Sequence, residues 1–265
     1  ASSVPKHFSS HVGRALAVRL QALGVAFRVN DPWLAAAAVP HSATLDEVLA
    51  CDVISLHPEL THRAPWPSYH LLAARELAAL GPRQLLINAS RGAVIDNAAL
   101  LHRLQGGPAP AVALDVWERE PDFDKELLQR VDIGTAPIAG YSLDSKRLAS
   151  DVVCRALSRH FGLPQPTADV AAGDSLLRPA AGKSGAALMR ELLRQRYDIL
   201  ADDRLLRSLP TDRAVGFDRL RKHYRERREL SGARVSVASL SAADRELVLA
   251  LGCHCIDTMT EPDND

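Results

Sequence analysis

The sequence predicts an α/β protein: a parallel sheet that is incomplete at its start, followed by a smaller C-terminal α+β domain. Two observations predict the sheet. From the start of the chain to Trp117, amphipathic helical stretches alternate with short apolar runs. Each apolar run is followed by polar or charged residues, as at the carboxyl ends of parallel strands. A stretch rich in proline and glycine after Gly162 indicates that a separate domain follows.

The elements of the first domain follow from caps and periodicity. In order, we predict a helix over residues 13–23, a strand over 25–29, a short helix opened by a capping box at 44–47, a strand over 52–57 and a helix over 68–80. The apolar runs at 85–87 and 111–116 are predicted to be buried strands, with a helix between them that Asp96 caps. The first six residues are polar and interrupted by Pro5, which makes them a poor first strand.

A long helix over residues 143–161 is predicted to close this domain, which places the domains at 1–162 and 163–265. In the second domain we predict helices over residues 186–200, 217–230 and 241–251 and a strand over 234–240. Cys253-His254-Cys255 is too tightly spaced for a convincing zinc site, and the other interpretation is a terminal strand. We therefore predict no metal site.

Charged residues follow two neighbouring strands of the predicted sheet. Arg91 lies in the turn after residues 85–87, and Asp115, Glu118 and Glu120 close the next apolar run. The ligand crevice of an open parallel sheet lies outside the carboxyl ends of its strands, so these side chains are predicted to meet a substrate or cofactor. An arginine suits a carboxylate because its planar guanidinium can bind both oxygens. The alternative is a structural ion pair of Arg91 with Asp115 or Glu120.

The turns that hold Arg91 and Glu120 carry a family resemblance. The N-x-x-R-G turn and the D-V-x-x-x-E-P turn resemble the signature of the D-isomer-specific 2-hydroxyacid dehydrogenases. The resemblance implies a Rossmann-like domain that binds NAD. It also implies that Arg91 holds the substrate carboxylate and polarises the reacting carbonyl or hydroxyl group. Glu120, in the same way, is expected to orient a catalytic histidine.

Four motifs narrow the resemblance within this family: INASRGAVIDNAALL, LDVWEREPD, VDIGTAPIAGY and FDRLRKHYRERREL. They are similar to the branch that oxidises 4-phospho-D-erythronate in vitamin B6 biosynthesis, in which the C-terminal domain serves dimerisation. The resemblance implies a small phosphorylated hydroxy-acid substrate and a homodimer. It also implies a substrate contact at Tyr141 and cofactor contacts at Gly13, Asp31, Ala89, Ser90, Asp115 and Gly140.

Asp31 has support from spacing as well. It follows the predicted strand over residues 25–29 and lies near the ~20-residue spacing after Gly13 that is expected for the acid on the ribose hydroxyls of NAD. The other interpretation of Asp31 is a turn residue that caps its own backbone. Tyr141 also has a second interpretation, in which its ring covers the edge of the sheet.

Departures from the family pattern predict impaired catalysis. Pro137 takes the register position of the family's histidine, and proline has no titratable group, whereas proton transfer by such a group typically contributes ~10²- to 10⁴-fold in rate. Phe8 and Ser10 stand where the phosphate loop has its first two glycines, and their side chains obstruct the approach of backbone to pyrophosphate. The family's N-terminal part of the substrate domain has no counterpart in this sequence.

Two other functions stay open. One is a truncated relative that dimerises without redox chemistry. The other is a basic binding module, because residues 219–229 hold six Lys and Arg against two Glu. Against the second, Phe217, Leu220 and Tyr224 recur at helical spacing, which favours a packed helix whose charges face a phosphorylated substrate or a partner subunit.

The composition limits which binding partners and which cellular compartment we expect for this protein. Lys plus Arg and Asp plus Glu number 32 each, so net charge provides no general attraction to nucleic acid or to an anionic membrane. No apolar run is long enough to span a bilayer, and the first residues lack a signal-peptide pattern. The four cysteines include no C-x-x-C pair, and we interpret them as reduced thiols of a cytoplasmic protein.

Overall fold

The computed structural model describes residues 10–165, 175–210 and 213–257. Residues 1–6, which the sequence makes a poor first strand, and Phe8 lie outside the described residues, as does part of the proline- and glycine-rich stretch after Gly162. In chain order the elements are α1 (His11–Ala22), α2 (Leu45–Leu49), β1 (Val53–Leu56), α3 (Ala74–Ala78), β2 (Leu85–Asn88), α4 (Asn97–Gln105), β3 (Ala111–Leu114), α5 (Lys125–Arg130), β4 (Ile133–Gly134), α6 (Leu143–Phe161), α7 (Gly185–Arg196), α8 (Ile199–Arg207), α9 (Arg213–Lys222), β5 (Arg234–Ser236), α10 (Ala242–Ala250) and β6 (His254–Ile256).

The strands β1 to β4 form one parallel sheet in the order β1-β2-β3-β4, which confirms the predicted α/β class. Every second residue of the first three strands is buried. The carboxyl ends are aligned: Leu56 pairs with Asn88, Asn88 with Leu114, and Leu114 with Gly134. The residues that follow these four therefore emerge along one edge of the sheet.

Within the described ranges, no helix has the length and apolar character needed to cross a bilayer.

Helix boundaries encoded by local caps are confirmed. Thr44 and Glu47 form the predicted capping box, with the Glu47 amide donating to the Thr44 hydroxyl at 3.2 Å. Asp96 caps α4 and Ser241 caps α10 through their side-chain oxygens. Helix α6 spans the predicted residues and ends at Gly162, whose φ of 64° is the left-handed conformation that glycine adopts without strain.

The predicted strand over residues 25–29 is wrong. Within it only Val29 forms a β-bridge, parallel to Ser42. The Val29 amide donates to the His41 carbonyl at 3.0 Å, and the Val29 carbonyl accepts from Ala43 at 2.9 Å. A strand needs a hydrogen-bonded neighbour along its length, and among the described residues this segment has a β-bridge partner only at Val29.

The predicted helix over residues 68–80 shrinks to the five residues of α3. The amides of His70 and Leu72 donate to the carbonyls of Ala93 and Val94 at 2.8 and 3.1 Å, so they are not available for helical bonds. The hydroxyl of Ser68 is also engaged elsewhere, because it accepts from the Thr61 amide at 2.8 Å. Tertiary pairing therefore replaces helix in residues 68–73.

Two helices predicted for the second half are also corrected. The helix over residues 186–200 is interrupted after α7, because Tyr197 has extended backbone angles, and α8 begins at Ile199. The helix predicted over 217–230 ends with α9 at Lys222. Beyond it, Asp144 accepts hydrogen bonds from the Arg228 guanidinium and the Glu229 amide, which holds this segment out of helical geometry.

The predicted basic helix therefore does not extend through its arginines. The guanidinium of Arg225 donates to the Asp198 carbonyl at 3.3 Å, and that of Arg227 lies 4.4 Å from the ring centroid of Tyr197. Together with the Arg228 contact to Asp144, these interactions direct the positive charges to groups of the same chain. The binding-module interpretation loses the continuous basic helix on which it depended.

The chain divides into two compact units whose boundary differs from the predicted one at residue 162. The first comprises Ala1–Ala139 and Ile199–Tyr224, and the second comprises Gly140–Asp198 and Arg225–Asp265. Helix α6 thus belongs to the second unit, and α8 and α9 belong to the first.

Hydrogen bonds explain this division. In the first unit, Asp203 on α8 accepts from the Gly134 amide of β4 at 2.8 Å, and Arg207 donates to the Val131 carbonyl at 3.0 Å. In the second unit, the first amide of α6, Leu143, donates to the Arg227 carbonyl at 2.8 Å. Such partners lie far apart in sequence, so periodicity alone gives no sign of them.

The second unit has its own core and a small parallel sheet of β5 and β6. Leu188 and Leu192 of α7 are fully buried against Val235 and Val248. The strand predicted over residues 234–240 is correct at its start and ends at Ser236. Strand β6 runs through His254 and Cys255, so the strand interpretation of Cys253-His254-Cys255 is confirmed.

Candidate active site

The candidate site lies along the carboxyl edge of the four-stranded sheet. His57 follows β1, the Ala89 to Arg91 turn follows β2, Asp115 follows β3 and Thr135 follows β4. The strand register brings these positions to the same edge. This is the side of an open parallel sheet on which ligands bind.

Asn88 shapes the turn that presents Arg91. Its buried side-chain oxygen accepts from the Ser90 amide and hydroxyl at 3.1 and 2.8 Å, and its amide group donates to the Arg91 carbonyl at 3.0 Å. Ala89 is exposed at the tip of the turn. The Arg91 guanidinium is exposed, and its Nη1 donates to the Ser90 carbonyl at 2.7 Å. The turn is therefore fixed by its own side chains, and it holds a cation toward solvent.

Gly92 brings this turn against the next functional segment. A Cβ placed on Gly92 would lie 2.0 Å from the carbonyl carbon and oxygen of Trp117 and 2.5 Å from the amide nitrogen of Glu118. Only glycine permits such an approach of two backbones. Arg91 is thereby placed beside the segment that carries Glu120.

Glu120 folds back onto the chain that precedes it. Its Oε1 accepts from the Trp117 amide at 2.7 Å. Partial burial of the carboxyl group raises the pKa of Glu120, and nearby Asp115 adds to this, while the Trp117 hydrogen bond and the charges of Arg221 and Arg91 oppose it. In the described residues no ion pair joins Arg91 to Glu120 or Asp115, so the structural ion pair considered above does not form.

Asp115 anchors the loop after β4. Its carboxylate accepts from the Thr135 hydroxyl at 2.7 Å, from the Ile138 amide at 3.0 Å and from the Ala139 amide at 2.9 Å. Pro137 lies within this loop, half-buried. The proposed contact of Asp115 with the cofactor stays a prediction, and its observed role is to fix the loop that carries residue 137.

The start of α1 lies where the family resemblance expects the pyrophosphate of NAD. Gly13 lies against the end of β1, since a Cβ there would be 3.7 Å from the Cβ of His57. Burial lowers the pKa of His57, which keeps its ring neutral near pH 7. The Ser10 hydroxyl accepts from the Gly13 amide at 3.1 Å and so takes one of the amides that a phosphate would bind. The helix fits the role by position, and the Ser10 side chain must turn aside for an anion.

The remaining predicted residues have local contacts. Asp31 Oδ1 accepts from the Trp33 amide at 3.2 Å, which is the turn-capping interpretation, and its cofactor role stays a prediction. Gly140 and Tyr141 open the second unit, where the Lys146 ammonium lies 5.1 Å from the Tyr141 ring centroid. Their cofactor and substrate contacts stay predictions as well.

Sequence reasoning missed a cluster of His70, Asp96 and Glu118. In the described part of the chain these three residues form the one group whose His and carboxylate ligand atoms all lie within 4.8 Å of one another. The sequence pattern marks Glu118 only as a residue at the end of a strand, and it marks Asp96 only as a helix cap. His70 and Glu118 are 48 positions apart, so no local pattern joins them.

Comparison with known proteins shows which family the chain belongs to. Residues 9–138 match the family model described as D-isomer specific 2-hydroxyacid dehydrogenase, NAD binding domain. An erythronate-4-phosphate dehydrogenase of Cellvibrio japonicus (strain Ueda107) is 42% identical over 258 residues, which cover 93% of this chain and 68% of that protein. The chain belongs to the erythronate-4-phosphate dehydrogenase family. The protein of the same name from Marinobacter nauticus is 40% identical over 256 residues, covering 91% of this chain and 66% of that protein.

The erythronate-4-phosphate dehydrogenases are a branch of an NAD-dependent oxidoreductase family, and the chain carries that family's NAD-binding domain. The predicted family and cofactor are thereby confirmed. Residues 177–252 match a second model, described as Domain of unknown function (DUF3410). The chain spans about two thirds of the length of these curated relatives. A solved D-lactate dehydrogenase of Treponema pallidum is 28% identical to this chain, with a TM-score of 0.48. The aligned part covers 59% of this chain and 52% of the D-lactate dehydrogenase.

Proposed function

We propose that this chain performs NAD-dependent oxidation of 4-phospho-D-erythronate to 2-oxo-3-hydroxy-4-phosphobutanoate in vitamin B6 biosynthesis. The observation that carries the proposal is the placement of Arg91. It is an exposed guanidinium at the carboxyl edge of the sheet, fixed beside the Glu120 segment by the Gly92 and Trp117 contact. The two relatives that are 42% and 40% identical to this chain bear the name of this activity.

Arg91 binds the substrate carboxylate in this proposal. Two parallel hydrogen bonds from its guanidinium orient the acid and place the neighbouring 2-hydroxyl over the strand ends. The same positive charge stabilises the negative charge that develops on the hydroxyl oxygen as its proton leaves. NAD, when bound at this edge of the sheet, would accept the hydride from the 2-carbon.

The hydroxyl proton has no imidazole to accept it at residue 137. In this proposal it leaves to water, and the carboxylate of Glu120, in the segment after β3, is a second acceptor because its pKa is raised. Loss of the positioned base is expected to slow turnover by ~10²- to 10⁴-fold relative to a family member with its histidine. The proposed enzyme is therefore a slow one.

We also propose that the chain forms a homodimer through its second unit and works in the cytoplasm. The second unit overlaps the separate C-terminal model match at residues 177–252, the region to which the resemblance assigns dimerisation. The four cysteines are free thiols, as in a reducing compartment. Sedimentation at several protein concentrations tests the dimer.

A second candidate function is a dimerising relative without redox chemistry. Pro137 favours it, because that residue removes the family's general base from a loop that Asp115 otherwise holds in order. The Ser10 cap on α1 favours it too, since it competes with the cofactor for an amide.

The deciding experiment is calorimetric titration of the folded, purified chain with NAD, followed by turnover with 4-phosphoerythronate and a keto-acid acceptor that regenerates the cofactor. Arg91→Gln is expected to lower kcat/KM by roughly 10²-fold, the effect of losing charge-assisted hydrogen bonds. Arg83→Gln, which changes an exposed arginine before β2, is the matched control and should leave kcat/KM unchanged. Absence of NAD binding by a chain with native circular dichroism would favour the second candidate.

A further inference from the structure

The cluster of His70, Asp96 and Glu118 joins three separate segments of the first unit. His70 lies in the segment before α3, Asp96 caps α4, and Glu118 follows β3. Glu118 Oε1 lies 2.9 Å from His70 Nε2, and Asp96 Oδ2 lies 3.7 Å from His70 Nδ1. The side chains are 21 to 28% exposed, so the cluster is recessed but open to solvent.

In each carboxylate of the cluster, one oxygen accepts a hydrogen bond from a backbone amide and the other oxygen faces the His70 ring. Asp96 Oδ1 accepts from the Ala99 amide at 3.0 Å, which leaves Oδ2 on the side of His70. Glu118 Oε2 accepts from the Asn97 amide at 3.2 Å, which leaves Oε1 toward the same ring. Hydrogen bonds from outside a ligand set fix ligand orientation in metal sites in this way.

The imidazole is held as firmly as the carboxylates. The Tyr69 ring stacks on the His70 ring with centroids 3.9 Å apart, and the His70 amide donates to the Ala93 carbonyl at 2.8 Å. His70 has a φ of 50°, an unusual value for a residue with a side chain, which the surrounding bonds maintain. All three side chains are thus oriented before any ligand arrives.

We propose that His70, Asp96 and Glu118 form a binding site for a divalent transition-metal ion such as Zn²⁺. One imidazole nitrogen and two carboxylate oxygens are a ligand set that Zn²⁺ accepts, with the fourth position open to water. The ligand atoms lie within 4.8 Å of one another, and two ligands on a tetrahedral zinc are roughly 3.3 Å apart, so the three side chains must move closer together when the ion binds. The two carboxylates provide the negative charge that attracts a cation.

A metal in this position would join the segment before α3, the start of α4 and the segment after β3. The last of these includes Glu118, whose amide is packed against Gly92 and therefore against the Arg91 turn. The ion would act as a cross-link that stiffens the edge of the sheet carrying the candidate site. The inference stands on these contacts alone and does not depend on the proposed turnover.

The experiment is calorimetric titration of Zn²⁺ into the full chain after removal of metals with a chelator. One saturable site is expected, together with an increase in Tm on Zn²⁺ addition, because an ion that binds only the folded state stabilises it. Acidification should weaken binding, since protons compete for the same ligand atoms.

Three variants test the ligands while preserving the fold. Asp96→Asn keeps an oxygen for the Ala99 amide, and Glu118→Gln keeps one for the Asn97 amide, so each removes charge without removing the anchor. His70→Gln removes the imidazole. Each variant is expected to bind Zn²⁺ at least ~10-fold more weakly than the unmodified chain and to lose the Tm increase.

His62→Gln is the matched control. His62 is an exposed histidine in the same segment as His70. The centroid of its ring lies 4.5 Å from the centroid of the Tyr69 ring. This variant should bind Zn²⁺ as the unmodified chain does. Equal binding by all four variants would place the ion elsewhere, for example on Cys253 and Cys255, and would overturn the proposal.

Co²⁺ provides a second readout that separates the two locations. Binding to an imidazole and carboxylates gives visible absorption without the strong near-ultraviolet band of a thiolate complex. A thiolate band, or no saturable binding of either ion by the folded chain, would show that the cluster is a hydrogen-bonded ion pair and not a metal site. Loss of the Co²⁺ spectrum in Asp96→Asn and Glu118→Gln, with retention in His62→Gln, would support the proposed ligands.

Discussion

The carboxylate of Asp115 binds the backbone amide of Ile138, with 3.0 Å between Oδ1 and the nitrogen. The same carboxylate also binds the Ala139 amide and the Thr135 hydroxyl, so it holds both sides of the loop around Pro137. The loop in which the family resemblance implies a histidine is therefore fixed in this chain. Residue 137 of that loop is a proline.

Replacement of Asp115 should loosen that loop. In Asp115→Asn an NH₂ group replaces one of the two acceptor oxygens. This NH₂ donor then faces the N–H donor of a backbone amide, and the two cannot form a hydrogen bond. We expect a loss of about 1 to 3 kcal/mol in the free energy of unfolding, because partly buried hydrogen bonds to a charged group are lost. Urea denaturation measures this loss. Asp122→Asn changes an exposed acid in the same region and should alter the stability by less than about 0.5 kcal/mol.

The Gly92 contact predicts a larger effect. In Gly92→Ala the new Cβ would lie 2.0 Å from Trp117 backbone atoms, and backbone cannot rotate away as a long side chain can. We expect a loss of about 3 kcal/mol or more in the free energy of unfolding, also by urea denaturation. Gly81→Ala is the control, because its Cβ would meet only the Gln84 side chain, at 4.0 Å. Similar stability of the two variants would contradict the close approach.

A histidine can be placed at residue 137, where the family resemblance implies one. Pro137→His returns a titratable group to a loop that Asp115 already fixes, and kcat is expected to increase by ~10²- to 10⁴-fold over the unmodified chain. The measurement is NADH formation with 4-phosphoerythronate across a range of pH. Pro137→Gln removes the proline without supplying a base, so it should give no comparable increase. Equal rates for the two variants would mean that another group already serves as the base.

Asp144 makes the stability of the second unit depend on pH. Partial burial opposes its ionisation, but the hydrogen bonds from Arg228 and the Glu229 amide outweigh burial and lower the pKa of Asp144 below its ordinary value. Because the folded pKa is below the unfolded value of about 3.9, the stabilisation is complete above that pH and is lost as the pH falls through the folded pKa.

Asp144→Asn should therefore reduce stability by about 1 to 3 kcal/mol at pH 7, with a difference that shrinks below about pH 4. The free energy of unfolding in urea, measured from pH 7 to pH 3, follows this difference. Asp151→Asn, on the same helix, removes an exposed pair with Arg155 and should have an effect of at most about 1 kcal/mol. A difference for Asp144→Asn that grows toward acid pH would contradict the assignment.

The sequence alone determined the features that depend on neighbouring residues. The buried runs of β2 and β3, the capping box at Thr44 and the full length of α6 were predicted, because apolar periodicity and caps are interactions within a few positions. The motifs around Arg91 and Glu120 identified the family for the same reason: they are contiguous in the chain.

Only the tertiary structure decided how distant groups share their hydrogen bonds. Residues 68–73 are not helical because amides there pair with Ala93 and Val94, and α9 stops because Asp144 binds the segment that follows. The anchoring of the Pro137 loop by Asp115 and the meeting of His70 with Glu118 have the same origin. Each backbone amide and each carboxylate can serve few partners, and which distant partner it meets is fixed when the sheet brings its loops to one edge.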